Sequence, residues 1–142
     1  MKRFKWSITL AAVFSLIVFF LNAAWSGSLT PCEVVLKYYH ALQNQDYKGA
    51  SECVSREMLN DKSKEEWAET TKKMFEFGKV AITEVSATPG LVSGQEAQVN
   101  SVVNSRDECN KNGLIEHNIE HLVLEDGLWK LDETELLDST KP

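Results

Sequence analysis

Two periodicities divide the chain at Lys79. Before it, apolar residues recur every three or four positions, as one face of a helix requires; after it they alternate or run in short blocks, as strands do. Thr30-Pro31-Cys32-Glu33 opens the first helix. Thr30 can cap the free backbone amides, Pro31 sits where its missing N–H costs nothing, and Glu33 can reach back to close a capping box. Val35, Tyr38, Tyr39 and Leu42 then form the inner face. Asp46 is the expected cap of a short second helix with Tyr47, Ala50, Cys53 and Val54 turned inward. Ser63-Lys64-Glu65-Glu66 starts a third helix, which buries Trp67, Thr71, Met74 and Phe75 and ends at Gly78.

Beyond Lys79 the spacing predicts strands over 80–87, 95–105, 114–125 and 128–136, with a frayed tail over 139–142. The breaks are Pro89-Gly90 with Gly94, then Asn112-Gly113, then Asp126-Gly127. Asp126-Gly127 is the strongest signal, because a two-residue hairpin turn needs positive φ at both central positions. Short connections make consecutive strands antiparallel. The fold class is therefore α+β: three N-terminal helices packed on one face of a curved four-stranded antiparallel sheet. The expected core is Val35, Tyr39, Leu42, Ala50, Val54, Trp67, Phe75, Val99, Ile119, Trp129 and Leu131.

The order of elements and three segments carry a resemblance: 31–39, reading PCEVVLKYY, 45–50, reading QDYKGA, and 125–131, reading EDGLWKL. The chain resembles the nuclear transport factor two-like (cystatin-like) superfamily, and within it small exported bacterial domains related to lumazine-binding-like proteins. The resemblance implies a cone of helices over a curved sheet with a cavity between them. It also implies that Trp129 packs under the helices while Lys130 stays outside. It allows a homodimer through the exposed sheet face and is nearly silent on activity.

The first 26 residues stand apart from this pattern. Lys2, Arg3 and Lys5 precede an apolar run from Ile8 to Leu21, and Ala24-Trp25-Ser26 follows with small residues where signal peptidase reads. That is the layout of a signal peptide, with 27–142 as a single domain exported to the periplasm or outside the cell. The alternative is an uncleaved N-terminal anchor, the only route to a membrane. Cys32 lies too far from the run, behind Pro31, for lipidation. Losing the three basic residues takes the formal charge from −6 to −9. So acidic a domain, without a basic cluster, argues against nucleic acid as a partner. Cys32, Cys53 and Cys109 are an odd set. The expected span of the first helix separates Cys32 from Cys53, pairing of Cys109 stays open, and Cys53 reads best as a small buried residue.

Candidate chemistry is sparse. His117 and His121 would share a helix face at this spacing, but their flanks make a strand, where four residues span roughly 13 Å, too far for one metal. Strand alternation places Ile115, His117, Ile119 and His121 on a common face, taken as the inner one; the other choice turns the more polar Glu116, Asn118 and Glu120 inward. The expected ligand-lining residues are Tyr38, Trp67, His117 and His121. No catalytic residue, metal or cofactor is assigned, because no nucleophilic triad, calcium loop or phosphate-cradling glycine motif is present. The expected function is a non-catalytic cell-envelope domain that binds a small apolar ligand or a protein partner. The alternative is an acid/base enzyme of isomerase, dehydratase or hydrolase type using a cavity His or Tyr.

Overall fold

The computed structural model describes residues 27–142. The expected signal peptide or anchor lies outside the described residues. Among these, no helix is long and apolar enough to cross a membrane.

Among the described residues four helices precede the sheet: α1 (Pro31–Gln43), α2 (Tyr47–Ser51), α3 (Arg56–Leu59) and α4 (Lys64–Gly78). Thr30 and Glu33 form the expected capping box on α1, Asp46 caps α2 through the Gly49 amide, and Ser63 with Glu66 repeats the box on α4. The expectation of three helices missed α3. Its single turn is made by Ser55, whose Oγ accepts from the Met58 amide, and is stopped by Asn60 in the left-handed region. Gly78 is the last residue of α4, and the left-handed cap is Lys79.

The strands are β1 (Ala81–Ser93), β2 (Glu96–Arg106), β3 (Leu114–Glu125) and β4 (Leu128–Thr140), paired antiparallel in the order β1-β2-β3-β4. β1 runs through Pro89-Gly90, where the sequence pattern predicts a break. Pro89 is tolerated because β1 is an edge strand. Gly90 is required there, since a Cβ would lie 2.6 Å from the Gln98 carbonyl oxygen. β4 likewise continues past 136, and Ser139 pairs with Glu116. The β3–β4 turn is as expected, with φ of 51° at Asp126 and 78° at Gly127.

Bulges shape β4. Asp132 and Leu137 are each left without a partner opposite β3. An extra residue reverses the inside–outside alternation beyond it. Leu131 faces inward at 0 % exposure, and without the bulge Glu133 would do so too; with it, Thr134 pairs with Glu120. Asp132 is tied to the helices by the Ser55 hydroxyl at 2.5 Å. The chain at Cys53–Ser55 also adds to the start of β4, with Ser55 N–H donating to Leu131 O at 2.7 Å and Leu131 N–H to Cys53 O at 2.8 Å. Together with the acidic Glu133, Glu135 and Asp138, the bulges protect an edge that would otherwise invite a second chain.

The core lies between α1, α2 and the sheet: Val35, Tyr39, Leu42, Ala50, Val54, Val99, Leu122 and Leu131 are buried, with Trp67, Phe75 and Trp129 packed at its margin. Ile119 is the exception among the expected core residues. It pairs with Asn100 and Glu135 on the opposite face of the sheet. Among the described residues, the buried core members fall between Val34 and Leu131.

Candidate functional site

β3 enters with the opposite face inward to the one expected. Asn118, Glu120 and Leu122 are buried, whereas His117 is exposed and Ile119 and His121 are partly exposed on the outer face. The hairpin register explains this. Leu124 pairs with Trp129 and Leu122 with Leu131 across the Asp126-Gly127 turn. Once Trp129 and Leu131 face the helices, alternation carries Glu120 and Asn118 in with them. On the neighbouring strand, Ala97, Val99, Ser101, Val103 and Ser105 are the buried set, and small Ser101 leaves room beside Glu120.

Glu120 is 0 % exposed and is the most unusual residue in the domain. Its Oε1 accepts from the Tyr39 hydroxyl at 2.7 Å and from Ser101 Oγ at 2.6 Å, and its Oε2 accepts from Thr134 Oγ1 at 2.6 Å. One helix and two strands thus converge on a carboxyl group carried by a third strand. No Lys or Arg pairs with it among the described residues; hydroxyl groups alone satisfy it. A buried carboxyl group left unpaired costs several kcal/mol, on the order of 3–5, so this set of donors makes its burial tolerable. Burial and the neighbouring Glu120 charge raise the Tyr39 phenol well above its ordinary pKa, so Tyr39 remains a proton donor in the hydrogen bond.

The four expected ligand-lining residues fall into two groups on opposite sides of the sheet. Tyr38 and Trp67 lie inside. Tyr38 stacks edge-on against Tyr39 at 5.1 Å and leans on Trp67 at 6.5 Å. Burial first, then Glu120, pushes the Tyr38 hydroxyl pKa up. His117 and His121 lie outside and join no common site with them. His121 Nε2 is 3.1 Å from Glu135 Oε2, the diagonal neighbour across β4. The space where a helix–sheet cavity was expected holds Tyr38, Tyr39, Leu42, Val99, Leu122 and Leu131. The zero exposure of Glu120 means that no water-sized void touches it.

The openings are at the surface. One, about 330 Å³, lies where the β1–β2 hairpin meets β3 and β4, and is lined by Leu91, Glu96, His121, Asp132 and Glu133 among others. A smaller one, about 140 Å³, lies between the start of α1, the Glu52–Cys53 turn and the start of β4. Among the described residues no group of three or more His, Cys, Asp or Glu side chains is placed to hold a metal ion. All three cysteines are free; Cys53 is buried and Cys109 exposed.

Neither protein-family models nor curated proteins match the chain. Solved structures do. A SEC-C motif-containing protein from Rhodopseudomonas palustris is similar at TM-score 0.59 and 14% identity, over 75% of this chain and 77% of that one. A ketosteroid isomerase-like protein from Erwinia carotovora atroseptica is similar at 0.51 and 14%, over 74% and 92%. A scytalone dehydratase-like protein from Novosphingobium aromaticivorans is similar at 0.51 and 14%, over 94% and 92%. At such identity the likeness shows fold alone: the described residues share with these structures an α+β fold, an open four-stranded antiparallel sheet with helices on one face, which is the fold that the resemblance to the nuclear transport factor two-like superfamily implies.

Proposed function

We propose that this is an exported, non-catalytic cell-envelope domain that binds a partner from its outer surface. The observation that carries this reading is the closed interior. Glu120, the one carboxyl-bearing residue buried among the described residues, is saturated by three hydroxyls and reached by no solvent. Large apolar side chains are instead spent on the surface: Phe77 is 92 % exposed, Leu91 75 % and Met74 59 %. Met74 and Phe77 are three positions apart and share one flank of α4. Exposed aromatic and Met side chains rimmed by charge are typical of protein-binding surfaces. The test is capture of a partner from envelope extract by residues 27–142, set against the Met74→Ser/Phe77→Ser variant. Native mass spectrometry of the same protein checks for a retained small ligand. A partner held by the wild type and lost by the variant supports the reading; equal capture by both, or none, ends it. Intact mass of the exported protein decides between cleavage before Gly27 and a retained anchor.

A second reading is favoured by the Tyr39–Glu120 pair. A carboxyl group and a phenol in a dry site are acid/base components, and two of the similar structures are named for isomerase and dehydratase relatives. It requires that the helices open from the sheet, since nothing reaches Glu120 in the closed form. Turnover of a ketone substrate that is abolished in Glu120→Gln, with the fold retained, would establish it.

A further inference from the structure

Two of the surface openings among the described residues, those of about 330 Å³ and about 140 Å³, differ in charge. The larger is rimmed by Glu96, Asp132 and Glu133. The smaller has an apolar floor of Val34, Leu128 and Trp129, with Lys37 and Lys130 at its rim. Its one acid, Glu52, is taken by Lys64 at 2.5 Å. That bond, with the further charges of Lys130 and Lys48, holds the Glu52 carboxyl below the usual carboxylate range. Lys130 donates to the Glu52 backbone carbonyl at 2.5 Å, which fixes its ammonium group without neutralising it. Lys37 makes no ion pair among the described residues. Two cations, Lys37 and Lys130, therefore flank an apolar recess whose one carboxylate, Glu52, is shared with Lys64, so positive charge is in excess there although residues 27–142 carry a formal charge of −9. Leu128, at 49 % exposure, leaves one wall open to solvent.

We propose that this recess is a binding site for a small anionic amphiphile, its apolar tail on Trp129 and Leu128 and its acid group between Lys37 and Lys130. The volume of about 140 Å³ admits roughly five water-sized groups, and so a short aliphatic chain or a single ring. Charge complementarity selects the head: a cation would meet two ammonium groups, and a neutral molecule would gain only the floor. Its lining shares no residue with the Glu120 cluster or with the Met74–Phe77 flank of α4. The proposal rests on the reading of the domain as a binding module.

The experiment is a titration of residues 27–142 with sodium hexanoate, followed by amide and indole NMR shifts, with hexan-1-ol and hexylammonium as matched probes. Hexanoate is expected to give saturable shifts confined to Lys37, Cys53 and the Trp129 indole, with hexanol weaker and hexylammonium silent. Lys37→Gln should weaken hexanoate roughly threefold to fivefold, as loss of one exposed charge pair does. Lys73→Glu, on the exposed side of α4, should leave it unchanged. Equal shifts from hexylammonium, shifts that do not saturate, or affinity unmoved by Lys37→Gln would overturn the proposal. A negative result alongside a partner captured through Phe77 removes this ligand site and leaves the binding-module reading standing.

Discussion

Replacing Glu120 with leucine separates packing from hydrogen bonding at the centre of the domain. Leucine fills most of the same volume, so little cavity is created. It leaves the Tyr39 and Ser101 hydroxyls, 7 % and 2 % exposed by residue, without an acceptor, while Thr134 on an exposed stretch of β4 can turn to water. Each orphaned buried hydroxyl costs about 1–3 kcal/mol. Removing the carboxyl group returns part of its own desolvation cost. A net loss of about 2–4 kcal/mol is expected, a large share of the roughly 5–15 kcal/mol that holds a domain of this size together. Urea unfolding followed by tryptophan fluorescence should show the midpoint fall by about 1–2 M. The triple variant Glu120→Leu/Tyr39→Phe/Ser101→Ala removes the orphaned hydroxyls as well and should recover at least half of the loss, because an all-apolar replacement of a buried network is close to neutral. A Glu120→Leu protein within about 0.5 kcal/mol of wild type would refute the reasoning, as would a triple variant less stable than the single one.

Four further outcomes follow from named groups. Tyr38, Tyr39 and Tyr47 are the only tyrosines, and burial raises all three above the ordinary value of 10.0. For the two buried phenols, Tyr38 and Tyr39, folded values above unfolded ones give a stabilisation that is full below pH 10 and lost as pH rises further, so the tyrosinate absorbance of this pair should appear together with unfolding and not as a separate titration near 10. On the acid side, Glu33 and Glu66 are held below the ordinary 4.5 by backbone amides of their capping boxes, and Asp107 below 3.8 by Asn110. Depressed folded values give stability that is present above the unfolded values and lost as pH falls through the folded ones, so the melting temperature should drop on acidification below those values. Gly90→Ala should cost about 1–3 kcal/mol in thermal or urea unfolding, since a new Cβ meets the Gln98 carbonyl. A thiol reagent should label Cys109 at once and Cys53 only on unfolding, because Cys53 is buried and its thiol pKa is pushed up by that burial.

What could be read along the chain was what depends on near neighbours. The caps at Thr30, Asp46 and Ser63, the Asp126-Gly127 turn and the change from helical to strand spacing at Lys79 are contacts within three or four residues, and side-chain chemistry decides them. Even the face of β3 was legible. Placing Trp129 and Leu131 inside obliges Leu122 and Glu120 to follow across a two-residue turn, a constraint stronger than the apolar character of Ile115 and Ile119. Three features belonged to the tertiary structure alone. The Asp132 bulge arises where Ser55 and the Cys53–Ser55 segment grip the start of β4, and nothing in 128–140 announces it. Through that bulge Thr134 arrives opposite Glu120, and Tyr39 and Ser101 come from 81 and 19 residues away. The closed interior and the Lys37–Lys130 recess follow in the same way. A buried charge is acceptable only when distant donors converge on it, and that convergence is a property of packing, not of local sequence.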